Sequence, residues 1–405
     1  MRVYALSLLM PLWLVAADWP RFGGPDGNFQ VALSGPALHW PAGGPKRVWQ
    51  RPLGEGYSGI VVEGAALYTM YRRGEQEVVA SLETESGKTL WEFAYDAPLP
   101  ADFDFSNTKG PRATPLIVGD ALFTIGVAGK LHRLDRKTGK ASWSHDFVKD
   151  FNGSIRANGY APSPIAWRDT IIVFPNAPGA AIMALRQSDG SVAWKKHSFL
   201  VSYATPILIQ LSGREQLIAQ FSDEVAGLDP ANGDLIWSHP HTNDQKVNVA
   251  LPVWKGDGLM FLSSAYNGGS RVLRLTADGP STKVEELWTH RLVRIHHSDA
   301  VRIGDTVYAA SGDLGPCPLT ATDIKTGKVF WRDRAFPKAS LIAVGEQLLI
   351  LDEDGTLALA TPSEKGLEVH GKTLALTSNA WTPPTLVGRR VYLRDHLTIT
   401  AFSFD

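Results

Sequence analysis

The sequence predicts an all-β fold, an eight-bladed β-propeller built from four-stranded antiparallel blades. Two signals that recur along the 405 residues support this prediction. One is a glycine-containing turn followed by a tryptophan, and the other is a short apolar strand that opens each unit. Both recur at intervals of roughly 40–50 residues, which is the repeat length of propeller blades.

The first signal is a hairpin turn followed by tryptophan. Its clearest copies are DRKTGKASW at residues 135–143 and DIKTGKVFW at residues 323–331. Glycine supplies the positive φ of a tight turn, and the preceding Asp or Thr hydrogen-bonds the turn backbone. The tryptophan falls in the next strand, where we expect it to pack between blades and to donate its N–H to a backbone acceptor. The series comprises Gly87/Trp91, Gly139/Trp143, Gly190/Trp194, Gly233/Trp237 and Gly327/Trp331, with Trp49 and Trp288 as further members.

The second signal counts the blades independently. An apolar strand, a turn and another apolar strand begin each unit. The eighth copy leaves residues 381–405, which suffice for three strands, so we expect residues 46–50 to supply the fourth. The N-terminal strand would then pair with the C-terminal blade around residues 397–404 and close the ring. The eight openings are residues 59–64, 114–119, 163–168, 205–209, 251–256, 299–304, 340–345 and 384–388.

Composition and charge exclude several classes of function. The apolar fraction is 44%, the charged fraction is 20%, and the net charge is -1. No global field therefore draws the protein to nucleic acid or to an anionic membrane surface. Cys317 is the one cysteine, so the chain has no internal disulfide, and we expect a buried structural thiol there in preference to a catalytic one.

The first seventeen residues have the pattern of a secretory signal peptide. Arg2 precedes an apolar run that ends in Ala16 and Ala17, before Asp18. A membrane anchor would need about 20 apolar residues, and no cysteine follows the run to accept a lipid. We therefore expect a periplasmic or secreted protein without a transmembrane segment. The predicted organisation is a signal peptide at residues 1–17, an extension at 18–45 and the propeller at 46–405.

The Asp-x-x-Thr-Gly-Lys-x-x-Trp repeat resembles that of pyrroloquinoline-quinone-type (PQQ-type) propellers. This family includes quinoprotein alcohol dehydrogenases and BamB-like outer-membrane assembly factors. The resemblance covers about residues 46–405, and DWPRFGGP at residues 18–25 is similar to the mature start of exported bacterial members. It implies the fold more specifically than the function, because the same ring hosts both enzymes and scaffolds.

The resemblance leaves two functions open. Quinoprotein dehydrogenases stack PQQ between a tryptophan and a disulfide of adjacent cysteines, with a calcium ion and an aspartate base. One cysteine cannot form that disulfide, so we favour an exported, non-enzymatic binding or scaffold propeller with its site at the axial mouth. The alternative is a PQQ-dependent oxidoreductase that uses the same mouth, with PQQ and calcium as its cofactors. Its calcium candidates are Asp102, Asp104 and Asn107.

Other motifs give no catalytic signature. The acidic residues 352–355 lie between apolar runs and are interpreted as a hairpin turn. His239 and His241 flank a proline, and His296 and His297 are adjacent, but neither pair has the further ligands that zinc requires. We therefore expect no metal there. A nucleophile elbow, a P-loop and a dinucleotide fingerprint are absent from the sequence.

The candidate binding site follows from propeller topology. All blade-to-blade connections emerge on one face, and those at residues 92–111 and 144–161 are long. Their basic, amide and aromatic residues predict a mouth that attracts a small anionic or polyhydroxyl ligand, or another exported protein. Arg112, Arg156 and Arg294 are the decisive members, because guanidinium groups suit carboxylates. The alternative is a set of solvated loop residues. The candidates are Asn107, Lys109, Arg112, Arg156, Asn158, Tyr160, Tyr203, Lys246, Asn248, Arg294, His296, His297, Lys338 and Trp381.

Overall fold

A computed structural model of the protein describes residues 18–33, 35–100 and 109–405. Within these ranges the strands form eight sheets arranged as a propeller, and each sheet contains four adjacent antiparallel strands. One sheet has a fifth strand, which pairs in parallel with the first of its four antiparallel strands. The prediction of an all-β, eight-bladed propeller is confirmed.

In blades 1 to 4, successive strands run from the axis outward. Blade 1 has β3 (Val61–Glu63), β4 (Ala66–Arg73), β5 (Gln76–Glu83) and β6 (Thr89–Asp96). Blade 2 has β7 (Leu116–Val118), β8 (Ala121–Ile125), β9 (Lys130–Asp135) and β10 (Ala141–Asp146), followed by the short helix α1 (Phe147–Phe151). Blade 3 has β11 (Ile165–Trp167), β12 (Thr170–Val173), β13 (Ile182–Arg186) and β14 (Val192–Lys196). Blade 4 has β15 (Ile207–Leu211), β16 (Arg214–Gln220), β17 (Glu224–Leu228) and β18 (Leu235–Pro240).

Blades 5 to 8 follow the same order, and the last two recruit N-terminal strands. Blade 5 has β19 (Val253–Trp254), β20 (Leu259–Ser264), β21 (Gly269–Asp278) and β22 (Ser281–His290). Blade 6 has β23 (Val301–Ile303), β24 (Thr306–Ala310), β25 (Leu319–Asp323) and β26 (Val329–Asp333). Blade 7 has β27 (Ser340–Val344), β28 (Gln347–Leu351), β29 (Thr356–Ser363) and β30 (Gly366–Leu374), with β1 (Gln30–Val31) inside β27. Blade 8 has β31 (Thr385–Val387), β32 (Arg390–Arg394), β33 (Thr398–Ser403) and, outermost, β2 (Lys46–Pro52).

Ring closure joins a strand from the N-terminal part of the chain to the last blade. Strand β2 pairs antiparallel with β33, from Lys46 opposite Ser403 to Pro52 opposite Thr398. The predicted pairing of the N-terminal strand with the C-terminal blade is confirmed. Because β2 completes the fourth position of blade 8, this blade has the same number of strands as its neighbours.

The core lies between the blades. All five residues of β8 are buried, whereas the outer strand β6 alternates half-buried and exposed residues. Neighbouring blades cover both faces of the second and third strands, so the central residues of those strands are mostly apolar and buried, as in sheets that are covered on both sides. Cys317 belongs to this interior at 2% exposure, in agreement with the prediction of a buried structural thiol.

Tryptophans in the outer strands connect each blade to the next. The Trp91 ring covers the turn glycine Gly139 of blade 2, where a Cβ would lie 2.5 Å from the ring. Gly139 also has a φ of +72°, so both the close approach and the backbone conformation require glycine. The indole N–H groups of Trp49, Trp91, Trp143, Trp194, Trp288 and Trp331 donate to carbonyl oxygens of Thr84, Arg136, Gln187, Pro230, Ile324 and Ser363 at 2.7–3.1 Å.

Two blades depart from this rule. Trp237 holds the equivalent strand position, but its N–H donates to Gln216 Oε1 within its own blade, at 2.8 Å. In blade 7 the equivalent position after the strand irregularity is Gly371. The ring of Trp40, from the N-terminal extension, lies against Gly371 and packs edge-on against Phe404 at 6.0 Å. Trp40 therefore fills the space of the missing blade tryptophan.

We expect the substitution Trp194→Ala to lower the free energy of unfolding by about 3–5 kcal/mol, because it removes a large buried ring between two blades. Trp194 is 9% exposed and also donates to Pro230 O. Chemical denaturation measures the loss. Trp331→Ala is the matched control, since its ring occupies the same position but is less buried, and it should cost less. Wild-type unfolding of Trp194→Ala would refute the role of this ring.

The segment at residues 18–31 crosses the inner edges of several blades. Trp19 exchanges two backbone hydrogen bonds with Val62 in blade 1, and Ile117 N of blade 2 donates to Pro20 O. At the other end, β1 pairs in parallel with β27 of blade 7. Trp19 and Phe29 are each 2% exposed. The segment is thus anchored to the inner strands near the lower face, the face opposite the blade-to-blade connections.

Some sequence predictions lie outside the described residues. They are the signal peptide at residues 1–17 and the calcium candidates Asp102, Asp104 and Asn107. Across residues 18–33, 35–100 and 109–405, no helix has the length and apolar character needed to cross a bilayer.

Candidate functional site: the axial cavity

An open cavity occupies the centre of the upper face, where the blade-to-blade connections emerge. It has a shallower part of about 370 Å³ and a deeper part of about 170 Å³. The two parts share wall residues, and each of the eight connections contributes to the lining. The contributing residues, in blade order, are Tyr57, Arg112, Asn158, Tyr203, Val249, His297, Lys338 and Trp381. We call this space the axial cavity.

Aromatic rings form much of its wall. The ring centroids of Tyr57 and Trp381 lie 5.1 Å apart, and those of His297 and Trp381 lie 5.3 Å apart. Tyr203 lines both parts of the cavity and is 7% exposed. A wall of this composition offers flat apolar surfaces with polar edges, which is typical of small-molecule sites.

A carboxylate outside the wall positions two of the lining residues. Glu353 Oε2 accepts from Lys338 Nζ at 3.0 Å and from the indole N–H of Trp381 at 3.3 Å. Glu353 belongs to the turn between β28 and β29, so the acidic stretch at residues 352–355 is a hairpin turn, as predicted. The turn also fixes the orientation of the tryptophan and the lysine at the mouth.

A chain of polar rings follows the wall of the upper part. Tyr266 Oη lies 2.6 Å from His296 Nε2, and His296 Nδ1 lies 3.4 Å from His297 Nδ1. Burial lowers the pKa of both histidines, and nearby cationic or imidazole groups lower it further. The pKa of His297 falls to about 3. Both imidazoles are therefore neutral at pH 7. Asp313 borders the same region, accepts from Tyr266 N at 3.0 Å and pairs with Arg294 at 3.1 Å.

Arg112 enters the cavity from the connection between blades 1 and 2. Its guanidinium donates to Asn158 O, and burial lowers its pKa from the usual value. Asn158 N in turn donates to the hydroxyl of Tyr203 at 3.3 Å. Three of the predicted residues thus form one connected part of the wall.

The deep part contains a carboxyl group and two hydroxyls. Asp299 is 4% exposed, and its Oδ1 accepts from Leu251 N at 2.7 Å. Burial raises the pKa of Asp299 to about 7, and the bond from Leu251 N offsets only part of this effect. Ser163 and Thr205 lie beside it in the lining. Their hydroxyl oxygens accept the backbone N–H groups of Thr114 and Ser163, each at 2.9 Å.

The base of the cavity comes from outside the blades. Phe22, in the segment at residues 18–31, lines the deep part together with Asp299. Its ring packs edge-on against Phe29 at 5.1 Å. The segment is bonded to blades 1, 2 and 7, so it holds Phe22 in place at the base of the deep part.

Seven of the predicted site residues line the axial cavity. They are Arg112, Asn158, Tyr203, His296, His297, Lys338 and Trp381. Their position agrees with the topological argument that the connections share one face. Their role in ligand binding stays a prediction.

Four others have structural contacts and lie outside the described lining. Arg156 donates to Val201 O and Ser222 Oγ and covers the outer side of Tyr203. Arg294 pairs with Asp313, so it supports the wall from behind. The Tyr160 hydroxyl donates to Pro175 O, and Asn248 is fully buried. Of the three decisive arginines, only Arg112 contributes to the lining.

The remaining predicted residues are at the surface or undescribed. Lys109 is exposed. Lys246 is also solvent-accessible, and its ammonium lies 3.4 Å from Asp223 Oδ2. Asn107 lies outside the described residues.

Several lining residues were not among the predicted site residues, and they include Phe22, Tyr57, Ser163, Thr205, Tyr266, Asp299 and Asp313. Asp299 had a signal. It starts the sixth blade opening, where other openings start with Thr114, Ser163 or Thr205, so a carboxylate replaces a hydroxyl there. The sequence gave no indication that Phe22 lines the cavity, because the blades that an N-terminal extension contacts cannot be inferred from its sequence.

The part of the cavity lining that the structure describes lacks the groups that hold the quinone and its metal in quinoprotein dehydrogenases. The sequence has one cysteine, which excludes a disulfide of adjacent cysteines. Within the described ranges, no group of three His, Cys, Asp or Glu side chains converges as metal ligands. Asp299 and Asp313 are the carboxylates of the lining, and Asp313 is paired with Arg294.

The fold and the cavity define an eight-bladed propeller with an axial cavity on its upper face. Residues 74–333 match the family model described as outer membrane protein assembly factor BamB, and they make up more than half of the chain. The chain belongs to this family, and the predicted relation to PQQ-type propellers is confirmed.

Two curated relatives have similar sequences. The outer membrane protein assembly factor BamB of Burkholderia pseudomallei (strain K96243) is 22% identical over 303 residues, covering 71% of this chain and 72% of that protein. The quinohemoprotein alcohol dehydrogenase of Comamonas testosteroni is 22% identical over 289 residues, covering 63% of this chain but 37% of that protein. The dehydrogenase therefore contains a large part with no counterpart in the match.

Solved structures share the fold. BamB from Moraxella catarrhalis has a TM-score of 0.60 at 15% identity, covering 89% of this chain and 97% of that chain. Quinohemoprotein alcohol dehydrogenase from Comamonas testosteroni has a TM-score of 0.67 at 12% identity, covering 96% of this chain and 80% of that chain. At these identities the likeness concerns the fold alone.

Proposed function

We propose that this protein is an exported, non-enzymatic binding propeller, and that a small anionic or polyhydroxyl ligand occupies the axial cavity. The observation that carries the proposal is the convergence of all eight blade-to-blade connections on one lined space. Aromatic walls supply apolar contact area, while Arg112 and Lys338 supply positive charge. Such pockets combine an apolar lining with a few polar groups that set orientation.

Binding without turnover is the function that these residues support. The histidines in the wall are neutral and hydrogen-bonded to one another or to Tyr266. Burial raises the pKa of the Cys317 thiol to about 11, which makes it a poor nucleophile at neutral pH. Hydrogen bonds and ion pairs between wall residues favour a preorganised binding site, which reduces the entropy cost of binding.

Calorimetric titration of the purified protein tests this proposal. The ligands are D-glucuronate, D-galacturonate, D-glucose, D-galactose, citrate, glycerol 3-phosphate, and PQQ with calcium. We expect saturable one-to-one binding of at least one ligand other than PQQ. The substitution Trp381→Ala should weaken that binding by about tenfold, since the loss of one aromatic contact costs about 1–1.5 kcal/mol.

Trp167→Ala is the matched control. Trp167 lies at the end of β11 on the lower face and donates to Glu215 Oε2, away from the cavity lining. Its loss should leave binding unchanged. A dye-linked dehydrogenase assay runs in parallel with PQQ and calcium. Dye reduction that requires PQQ, the absence of any binding across the panel, or binding that is insensitive to Trp381→Ala would contradict the proposal.

A further inference from the structure

Three polar side chains at equivalent positions of blades 3, 4 and 6 border the deep part of the axial cavity. They are Ser163, Thr205 and Asp299, and each stands at the start of its blade opening. Their side-chain oxygens accept the backbone N–H groups of Thr114, Ser163 and Leu251, respectively, at 2.7–2.9 Å. Each of these side chains therefore connects its blade to the preceding blade near the axis.

Asp299 has more hydrogen-bonding capacity than this contact between blades requires. In blades 3 and 4 one hydroxyl oxygen accepts the backbone N–H, and in blade 6 Asp299 Oδ1 does so alone. No residue of the described chain donates to Asp299 Oδ2 or forms an ion pair with this carboxyl group. Asp299 is 4% exposed. Because burial of a polar oxygen without a donor costs free energy, a ligand that donates to Oδ2 would be favoured.

The two hydroxyls can donate to the same ligand. Ser163 Oγ and Thr205 Oγ1 each accept one backbone N–H, and each hydroxyl also carries a proton. Across residues 18–33, 35–100 and 109–405, no acceptor for either proton is found. The deep part thus offers two hydroxyl donors beside the acceptor oxygen of Asp299.

The charged groups of the lining favour a neutral ligand over an anion. Both cationic side chains of the described lining have partners, since Lys338 pairs with Glu353 at 3.0 Å and the Arg112 guanidinium donates to Asn158 O. Arg112 lines the upper part and also the deep part, where Asp299 lies. An anion in the deep part would therefore meet a carboxyl group and no described cation that lacks a partner, and like charges disfavour each other.

Aromatic side chains supply the apolar part of the lining. Tyr57, Tyr203 and Trp381 line both the upper and the deep part. Tyr57 and Trp381 are partly exposed, and their ring planes are tilted by 36°. Flat apolar surfaces of this kind can cover the C–H faces of a saturated six-membered ring, while hydroxyls at the edge of that ring reach the polar groups. Neighbouring ring hydroxyls supply both the donor for Asp299 and the acceptors for the two hydroxyls beside it.

We propose that the axial cavity binds a neutral pyranose, with neighbouring hydroxyls on Asp299, Ser163 and Thr205 and one face of the ring on the aromatic wall. This inference rests on the proposed binding function and selects the polyhydroxyl class of ligand over the anionic class. Asp299 determines this specificity, because its carboxyl group accepts a ligand hydroxyl and disfavours an anion. The sugar is either free or the terminal residue of a neutral polysaccharide, since both present the same ring and hydroxyls.

Calorimetric titration with matched ligands tests the class of ligand. D-Glucose and D-galactose are compared with D-glucuronate and D-galacturonate, which carry a carboxylate on the same ring, and with tetrahydropyran-2-methanol, which has the ring without its ring hydroxyls. We expect at least one neutral sugar to bind about tenfold or more tightly than its uronate and than tetrahydropyran-2-methanol. Cellotriose and β-1,4-galactotriose distinguish the two sources: tighter binding than the monosaccharide indicates a polymer end, and equal or weaker binding indicates a free sugar.

Two variants separate ligand binding from the contact between blades. Asp299→Asn keeps an oxygen for Leu251 N but places an amide donor where the ligand hydroxyl donates. It should weaken binding of the neutral sugar by about tenfold or more and reduce the preference over the uronate. Ser340→Ala is the matched control, because Ser340 holds the equivalent position in blade 7 outside the described lining, and it should leave binding unchanged. Circular dichroism and unfolding curves confirm that each variant is folded.

The outcomes distinguish this inference from the proposed function. A uronate that binds as tightly as its neutral parent or more tightly, or sugar binding that Asp299→Asn does not affect, would overturn the neutral-sugar assignment and leave a site that still depends on Trp381. Binding of citrate or glycerol 3-phosphate alone would have the same meaning. If no ligand of either panel binds, both proposals fail.

Discussion

Replacement of Arg394 by methionine should lower the free energy of unfolding by about 3–5 kcal/mol, because the substitution leaves several buried acceptors without a donor. Arg394 lies in β32 of blade 8 and is fully buried. Its guanidinium donates to Met70 O and Gly56 O, each at 2.7 Å, and to Thr69 Oγ1 at 3.0 Å. These acceptors belong to blade 1 and the connection that leads to it.

The position of Arg394 explains the size of the expected effect. It joins the last blade to the first, so it supports the closure that β2 and β33 also provide. Burial lowers the pKa of Arg394 to about 9, so the side chain is still charged at pH 7. Removal of either a buried cation or its acceptors destabilises the fold strongly, because the remaining group is left buried without a partner.

Arg390→Met is the control for this experiment. Arg390 lies in the same strand but pairs with the more exposed Glu85 at the surface. Its loss should cost about 1 kcal/mol or less, as for other surface ion pairs. Denaturant unfolding monitored by tryptophan fluorescence measures both variants. A loss below 1 kcal/mol for Arg394→Met would contradict the proposed role of this side chain in ring closure.

The second large effect concerns Asp299 and depends on pH. Burial raises the pKa of Asp299 from 3.8 to about 7. Between these two values the folded protein holds the proton while the unfolded chain has released it, so stability falls as pH rises through this window. Above pH 7 the full penalty is present, and a shift of this size corresponds to at most about 4 kcal/mol.

Asp299→Asn should therefore stabilise the protein at pH 8 and have little effect at pH 4. The amide oxygen can still accept from Leu251 N, while the ionisable group is removed. Urea unfolding at both pH values measures the difference. Asp313→Asn is the control and should not stabilise, because it breaks the ion pair with Arg294. Destabilisation by Asp299→Asn at pH 8, or an effect independent of pH, would contradict this account.

A stabilising Asp299→Asn would also bear on function. Residues that cost stability and border a cavity are candidates for binding, since natural sites trade stability for activity. The same variant is expected to weaken ligand binding in the axial cavity, because Asp299 belongs to its lining. The two measurements together separate a role in the site from a role in the fold.

The fold could be predicted from the sequence because its turns are local. A glycine four residues before a tryptophan predicts a hairpin turn. The same glycine contacts the tryptophan of the preceding blade, as Gly139 contacts Trp91. The prediction was incomplete where a distant segment takes part. Trp40 fills the position opposite Gly371 in blade 7, and nothing in the local pattern of either residue indicates that contact.

The site was predicted less completely, for a different physical reason. Topology places all connections on one face, so the region could be identified from strand order. Side-chain direction within a loop depends on packing that the sequence does not show. Arg156 turns toward Val201 O and Ser222 Oγ, and Asn248 is buried by its bonds to nearby backbone. Lys338 and Trp381 line the cavity because Glu353 orients both.

The most direct test of the central claim is a crystal structure of the protein in complex with the ligand of the titration panel that binds most tightly. The account predicts one ligand molecule in the axial cavity, in contact with the ring of Trp381. A ligand bound elsewhere on the propeller, with the axial cavity holding only solvent, would contradict it.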